Sequence, residues 1–332
     1  MKKELIVFAI IVILMSLFVR GEKAAVIKEI VNPSSMKVDD TRLYIVERTS
    51  IFIFSLKDYR FIKKFGKEGQ GPGEFAFHHN VKLSIDVSTD DIFIRSLAKV
   101  SFFSKDGHFK REAKTKGLGW GGVPLKGRYV GYSQTRETDN LYNTINFFDA
   151  DFNKGQEIAR VQYADKSKNI EHYKSAFMCC GHENKVFVAS SGGFVIDVID
   201  HTGKKLYSIT REYKRVKFDP AVEKIIHDIW KKTNPGGYEF FKKRLKFPAY
   251  FPAIRFFAVD DNKIYVLTWK KENKKTEFFI LNLKGKLLKQ GYMTVAFREG
   301  ETIRYPMDID NGKLYQLVEN EEENWELHVS KF

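Results

Sequence analysis

Short runs of β-branched and aromatic residues, each closed by a polar turn, recur along most of this chain. One phrase stands out in six copies: Arg42-Leu-Tyr-Ile-Val46, Asp91-Ile-Phe-Ile-Arg95, Arg128-Tyr-Val-Gly-Tyr132, Lys185-Val-Phe-Val-Ala189, Lys263-Ile-Tyr-Val-Leu267 and Lys313-Leu-Tyr-Gln-Leu317. Ahead of the copies stand Asp40, Asp90, Gly127, Asn184, Asn262 and Gly312, residue types that accept the positive φ of a tight hairpin. A second run follows each copy: Ile51–Phe54, Val100–Phe103, Thr144–Phe148, Phe194–Ile199, Thr276–Leu281 and Trp325–Val329. These runs have strand length and composition, and almost none sustains the 3.6-residue period of a helix.

A further short segment precedes each phrase: Ser35–Val38, Val81–Ile85, Gly122–Leu125, Phe177–Cys180, Ile254–Val259 and Tyr305–Ile309. With a strand leaving the next turn, as in Leu206–Ile209 and Leu287–Gln290, each unit has four strands. Four-stranded units in this number predict an all-β fold, a six-bladed β-propeller whose first strands line a central channel. The sixth unit ends with the chain, one strand short. Ala25–Val31 is strand-like and is expected to supply that strand, closing the ring and removing a sheet edge.

One interval breaks the repeat. Residues 214–251, between units four and five, begin with Asp219 as an N-cap and Pro220 at the first helical position. Val222, Ile225, Ile226, Ile229 and Trp230 then follow helical spacing, and the helix stops before Asn234-Pro-Gly-Gly237. A second helix is expected over Tyr238–Phe247. The insertion holds ten Lys or Arg against four Asp or Glu, close to half of the chain's net charge of +14. Lys242, Lys243 and Arg244 form its densest basic run. Such a balance favours an acidic partner, with a solvated basic face as the plainer alternative. No helix-turn-helix or zinc-finger spacing is present, so no nucleic acid is expected.

The N-terminus changes the picture of location. Lys2 and Lys3 precede an apolar stretch, Leu5–Val19, of signal-peptide length and short for a membrane span. Residues 1–21 therefore read as a signal peptide or a short anchor and 22–332 as the propeller. The protein is expected to be exported, periplasmic or extracellular, and monomeric, with residues 5–19 as a potential tether. The two cysteines, Cys179 and Cys180, are adjacent and make no disulfide framework.

The stretch Phe65-Gly-Lys-Glu-Gly-Gln-Gly-Pro-Gly-Glu-Phe75 is the most regular connection between units. A phosphate-binding loop needs a helix N-terminus after it, and here a strand follows, so the glycines read as a turn. Gly69-Gln-Gly-Pro-Gly-Glu-Phe75, with the strands behind it and Ser104-Lys-Asp-Gly-His108, resembles the NHL-repeat signature of bacterial six-bladed, TolB-like propellers. The resemblance implies a propeller that binds partners; a minority of related propellers are enzymes that carry metal at the channel mouth.

The candidate site is therefore the channel mouth. Lys37, Lys82 and Arg255 fall on expected inner strands and Arg304 just before the sixth, which suits an anionic ligand. His78 and His79 lie ahead of the second inner strand. Imidazole is a proton carrier and a metal ligand, but a metal site needs three or four converging ligands, and none can be named beside them. No nucleophile elbow, HExxH or EF-hand loop is present. The leading reading is an exported, non-enzymatic binding module for an anionic ligand or acidic protein, without a cofactor. The alternatives are a metal-dependent lyase or hydrolase using His78 or His79, and a structural protein of envelope assembly.

Overall fold

The computed structural model describes residues 21–76, 82–96, 99–115, 122–164, 169–173, 178–189, 192–298 and 303–332. The N-terminal apolar stretch and His78 and His79 lie outside the described residues.

Each phrase forms the second strand of a blade, and the segment ahead of it forms the inner strand. The inner strands are Ser35–Val38, Ser84–Val87, Gly122–Leu125, Met178–His182, Phe256–Asp260 and Met307–Asp310. Every one pairs antiparallel with its phrase strand. Blades one, two, four and five are complete four-stranded meanders. Three expected inner strands start two or three residues later than the sequence suggests; in blade six, Tyr305–Ile309 becomes Met307–Asp310. Val81–Ile85 becomes Ser84–Val87 and Ile254–Val259 becomes Phe256–Asp260, because ladder pairing begins at Ser84 opposite Arg95 and at Phe256 opposite Leu267. Lys82 and Arg255 consequently stand ahead of their strands.

The N-terminal segment closes the ring as expected, but the strand runs from Glu22 to Ile27, three residues earlier than the expected start at Ala25, and residues 28–31 turn away. Glu22–Ile27 pairs with Trp325–Lys331 as the outer strand of blade six. The closure is packed as well as hydrogen-bonded. Ile27, Met36, Leu43, Phe54, Leu317 and Trp325 share one buried cluster that spans blades six and one, and Trp325 Nε1 donates to Val31 O at 2.8 Å. A free sheet edge at either end of the chain is thereby avoided.

The glycine-rich connection between blades one and two is a folded turn. Phe75 N donates to Lys67 O (2.9 Å), Gly69 N to Phe75 O (3.1 Å), and Glu74 accepts from Gly71 N (2.9 Å) while pairing with Lys67. Phe75 itself is fully buried between the two blades. Gly66 sits at φ 79°, and a Cβ there would meet Thr49 O at 2.8 Å, so this corner admits no side chain.

The insertion carries two helices, α1 (Pro220–Thr233) and α2 (Pro235–Phe241). The Asp219 side chain accepts from Ala221 N, and Pro220 opens α1, as the sequence predicts. The second helix starts three residues earlier than expected and stops at Phe241, because Asn234 caps it through Gly237 N (3.0 Å). Leu245–Lys246 then forms a short parallel pair with Ile170–Glu171. That pair extends the sheet of blade three and ties the insertion to the connection between blades three and four. Ile226, Phe218 and Phe251 anchor the insertion, and the Phe251 ring stacks on Trp269 of blade five at 4.2 Å. Among the described residues no helix is long and apolar enough to cross a membrane.

Candidate functional site: the central cavity

The six inner strands surround a cavity of about 1030 Å³. Its character is set by one repeated position. The inner-strand residue paired with the third residue of each phrase is Lys37, Asp86, Val123, Cys180, Ala258 and Asp308 in blades one to six. All six line the cavity. The charged residues fall on three consecutive blades, six, one and two. The uncharged ones fall on the other three.

The charged side is a linked belt. Lys37 Nζ lies 3.2 Å from Asp308 and 3.7 Å from Asp86. Asp308 also accepts the Val38 N–H at 2.9 Å, so one carboxylate of blade six grips blade one twice. Asp308 holds the Lys37 ammonium above its usual range, with Asp86 adding to the effect against the cost of burial. Burial pushes the Asp86 carboxyl up, opposed by Lys37 and by Arg95, which is buried in the same blade. The belt thus holds two acids and two bases.

Arg304 is different. It enters from the short hairpin Phe297–Arg298/Ile303–Arg304 that precedes the sixth inner strand. Its guanidinium lies over the Phe256 ring, 4.7 Å from the centroid, and the side chain is open to the cavity. Protein surrounds it closely enough that desolvation works against its charge. Among the described residues no carboxylate comes within ion-pair distance of it. On the opposite wall, burial pushes the Cys179 and Cys180 thiols up to about 12, so both are protonated at neutral pH. The Cys179 N–H donates to the Tyr132 hydroxyl at 2.9 Å.

The two ends of the cavity carry opposite charge. Where the inner strands turn into the phrase strands stand Asp39, Asp40, Asp260 and Asp310. Lys105 from blade two pairs with Asp39 at 2.6 Å. Asn311 bridges the other three, donating its backbone N–H to Asp260 and its amide to Asp40 and Asp310. Partial burial, then the neighbouring Asp260, push Asp310 up to about 6. Arg304 and Arg255 stand at the other end, where the insertion also lies.

Of the residues singled out from sequence, Lys37 and Arg304 line the cavity. Arg255 stands at the rim, its guanidinium between the Trp269 and Phe297 rings at 4.2 and 3.3 Å. Lys82 is exposed and is not among the cavity walls. Lys242 pairs with Glu239 at 2.5 Å, Arg244 stacks on Phe240 at 3.9 Å, and Lys243 is exposed. Among the described residues no group of three or more His, Cys, Asp or Glu side chains is placed to hold a metal. The sequence reading missed Asp86, Asp308 and the acidic end. Aligning the six units on the third phrase residue would have brought Asp86 and Asp308 to the level of Lys37.

Comparison with known proteins supports the architecture. Residues 27–190, just under half of the chain, match the model of the DUF5128 family, described as a 6-bladed beta-propeller. A protein from Bacteroides fragilis NCTC 9343, provisionally described as exported, superimposes with a TM-score of 0.60 at 12% identity, over 95% of both chains. A DUF4221 family member from Bacteroides vulgatus ATCC 8482 gives 0.50 at 12% identity, over 95% of this chain and 99% of that one. At such identity the likeness is one of fold. No curated protein matches the chain. The resemblance read from the glycine-rich stretch therefore holds at the level of the six-bladed propeller.

Proposed function

We propose that this chain is an exported binding module that holds an anionic ligand in its central cavity. The observation that carries the reading is Arg304, a guanidinium open to the central cavity that has, among the described residues, no acid within ion-pair distance. Arg charge is retained in proteins, so a counter-ion is the remaining way to offset it. Planar, forked donors suit a carboxylate or phosphate. The apolar stretch Leu5–Val19 behind Lys2 and Lys3 supports export. The test is calorimetric titration of residues 22–332 with small anions. Arg304→Gln is expected to weaken the tightest anion at least tenfold while leaving the thermal midpoint in place. Equal affinity in the variant would sink the reading.

A second reading places an acidic protein on the insertion. Phe240 is 56% exposed and carries Arg244 on its face. Lys224, Lys231, Lys232, Lys243 and Lys246 are exposed, and among the described residues they have no carboxylate within ion-pair distance. Replacing Lys242, Lys243 and Arg244 with Gln is expected to abolish capture of such a partner without unfolding the chain. Unchanged capture by the triple variant would remove the insertion from consideration.

A further inference from the structure

We infer that the ligand of the central cavity is an amphipathic monoanion, a single carboxylate on an apolar body, bound head-first at Arg304. The inference rests on the anion-binding reading above and narrows it. Three observations carry it: the charge balance of the walls, their division into two sides, and the polarity along the axis.

The belt of Lys37, Arg95, Asp86 and Asp308 is balanced, two charges against two. Its members already offset one another, so they call for no ligand charge. Arg304 adds one positive charge and, among the described residues, has no acid within ion-pair distance, Asp308 acting on it only at longer range. At this end of the cavity the unpaired charge is a single positive one. A dianionic phosphate ester or a polyacid would bring an excess into a desolvated space, at a cost the walls do not offset.

The wall facing the belt is mainly apolar at the level of the belt, and the Tyr132 hydroxyl beside it already takes the Cys179 N–H. Val123, Ala258, Met178 and the protonated Cys180 line it, and the Phe256 ring backs the Arg304 guanidinium. An apolar body laid on this wall gains by leaving water, and the gain grows with its length. The cavity is roomy enough for such a body, since ligand pockets typically run to several hundred Å³.

The axis sets the direction. Asp40, Asp260 and Asp310 share one end of the cavity and repel an anion there. The head therefore lies at the opposite end, at Arg304, with the body reaching toward the middle of the channel. Binding is thereby polarised: a cation with the same tail is repelled at Arg304 and has to lie the other way round, with its head at the acidic end.

The experiment is titration of residues 22–332, followed by calorimetry, with four probes: octanoate, acetate, inorganic phosphate and octylammonium. Octanoate is expected to bind at least tenfold more tightly than each of the other three. Arg304→Gln and Ala258→Asp, both checked for an unchanged thermal midpoint, should each weaken octanoate at least tenfold. Ala258→Asp should leave the affinity for acetate within about threefold, because it touches the body and not the head. If acetate or phosphate binds as tightly as octanoate and is lost in Arg304→Gln, the amphipathic class is overturned and the anion-binding reading stands. If octanoate binds equally well to the wild type and Arg304→Gln, or if no anion binds at all, both fall.

Discussion

The two halves of the channel wall are built on the same repeat and differ in what they hold. At one structural position, blades six, one and two carry Asp308, Lys37 and Asp86, while blades three, four and five carry Val123, Cys180 and Ala258. The charged half is also the half that contains the ring closure. Outside, the seam between blades six and one is joined by the N-terminal strand and the Trp325 cluster. Inside, it is joined by Asp308, which takes both the Lys37 ammonium and the Val38 N–H. A partly buried ion pair is a weak source of net stability, but it is costly to break on one side only. Placed at a seam, it specifies which blade meets which. The uncharged half has no seam to specify, and its residues are left to shape the space.

That contrast can be broken most sharply at Asp308. Asp308→Ala strands Lys37 and leaves the Val38 N–H without its acceptor, and we expect a loss of about 3 kcal/mol in urea unfolding. Asp86→Asn should cost much less, since burial already works against the Asp86 charge. An equal cost for both would show that the belt acts as one unit and not as a clasp at the seam. In the other half, Cys180→Ala removes only a small, half-buried side chain, and we expect about 1 kcal/mol or less.

The smallest effect concerns the acidic end. Asp310 titrates near 6 in the folded chain, above the ordinary value of about 3.9 for an unfolded Asp. Between those values the folded state binds more protons than the unfolded state, so this group makes stability fall as pH rises from about 4 to about 6. Asp310 is partly solvated, and screening reduces the effect to about 1 kcal/mol. Asp310→Asn should therefore be the more stable protein at pH 8 and should lose that slope. A variant whose pH profile overlays the wild type would contradict the shift.

Much of the fold was legible because blade strands are local events. Phrases such as Lys185–Ala189 and Asp91–Arg95 appear in the structure with the bounds read from sequence. The helix cap at Asp219 was equally plain, and the closing N-terminal strand was plain in its role though not in its bounds. What sequence reading lost was register at the start of inner strands. Leu83 and Ile254 look like strand residues because they are apolar, but they are buried ahead of the ladder. The shift moved Lys82 and Arg255 off the channel strands. The site was legible only in part for a related reason. Lys37 announced a positive wall, yet its counter-charges lie at positions 86 and 308, and only ring closure brings position 308 beside it.

The direction of the closing strand has a consequence for how the molecule stands on a surface. Glu22 pairs with Val329, next to the turn between the inner and second strands of blade six, so the chain enters the ring at its acidic face. The insertion leaves Arg211, which pairs with Phe194, at the opposite face. Anything that moors the chain ahead of Glu22 therefore sets the carboxylate face toward the mooring. The arginine-bearing opening and the two helices then look outward, like a cup held by its base.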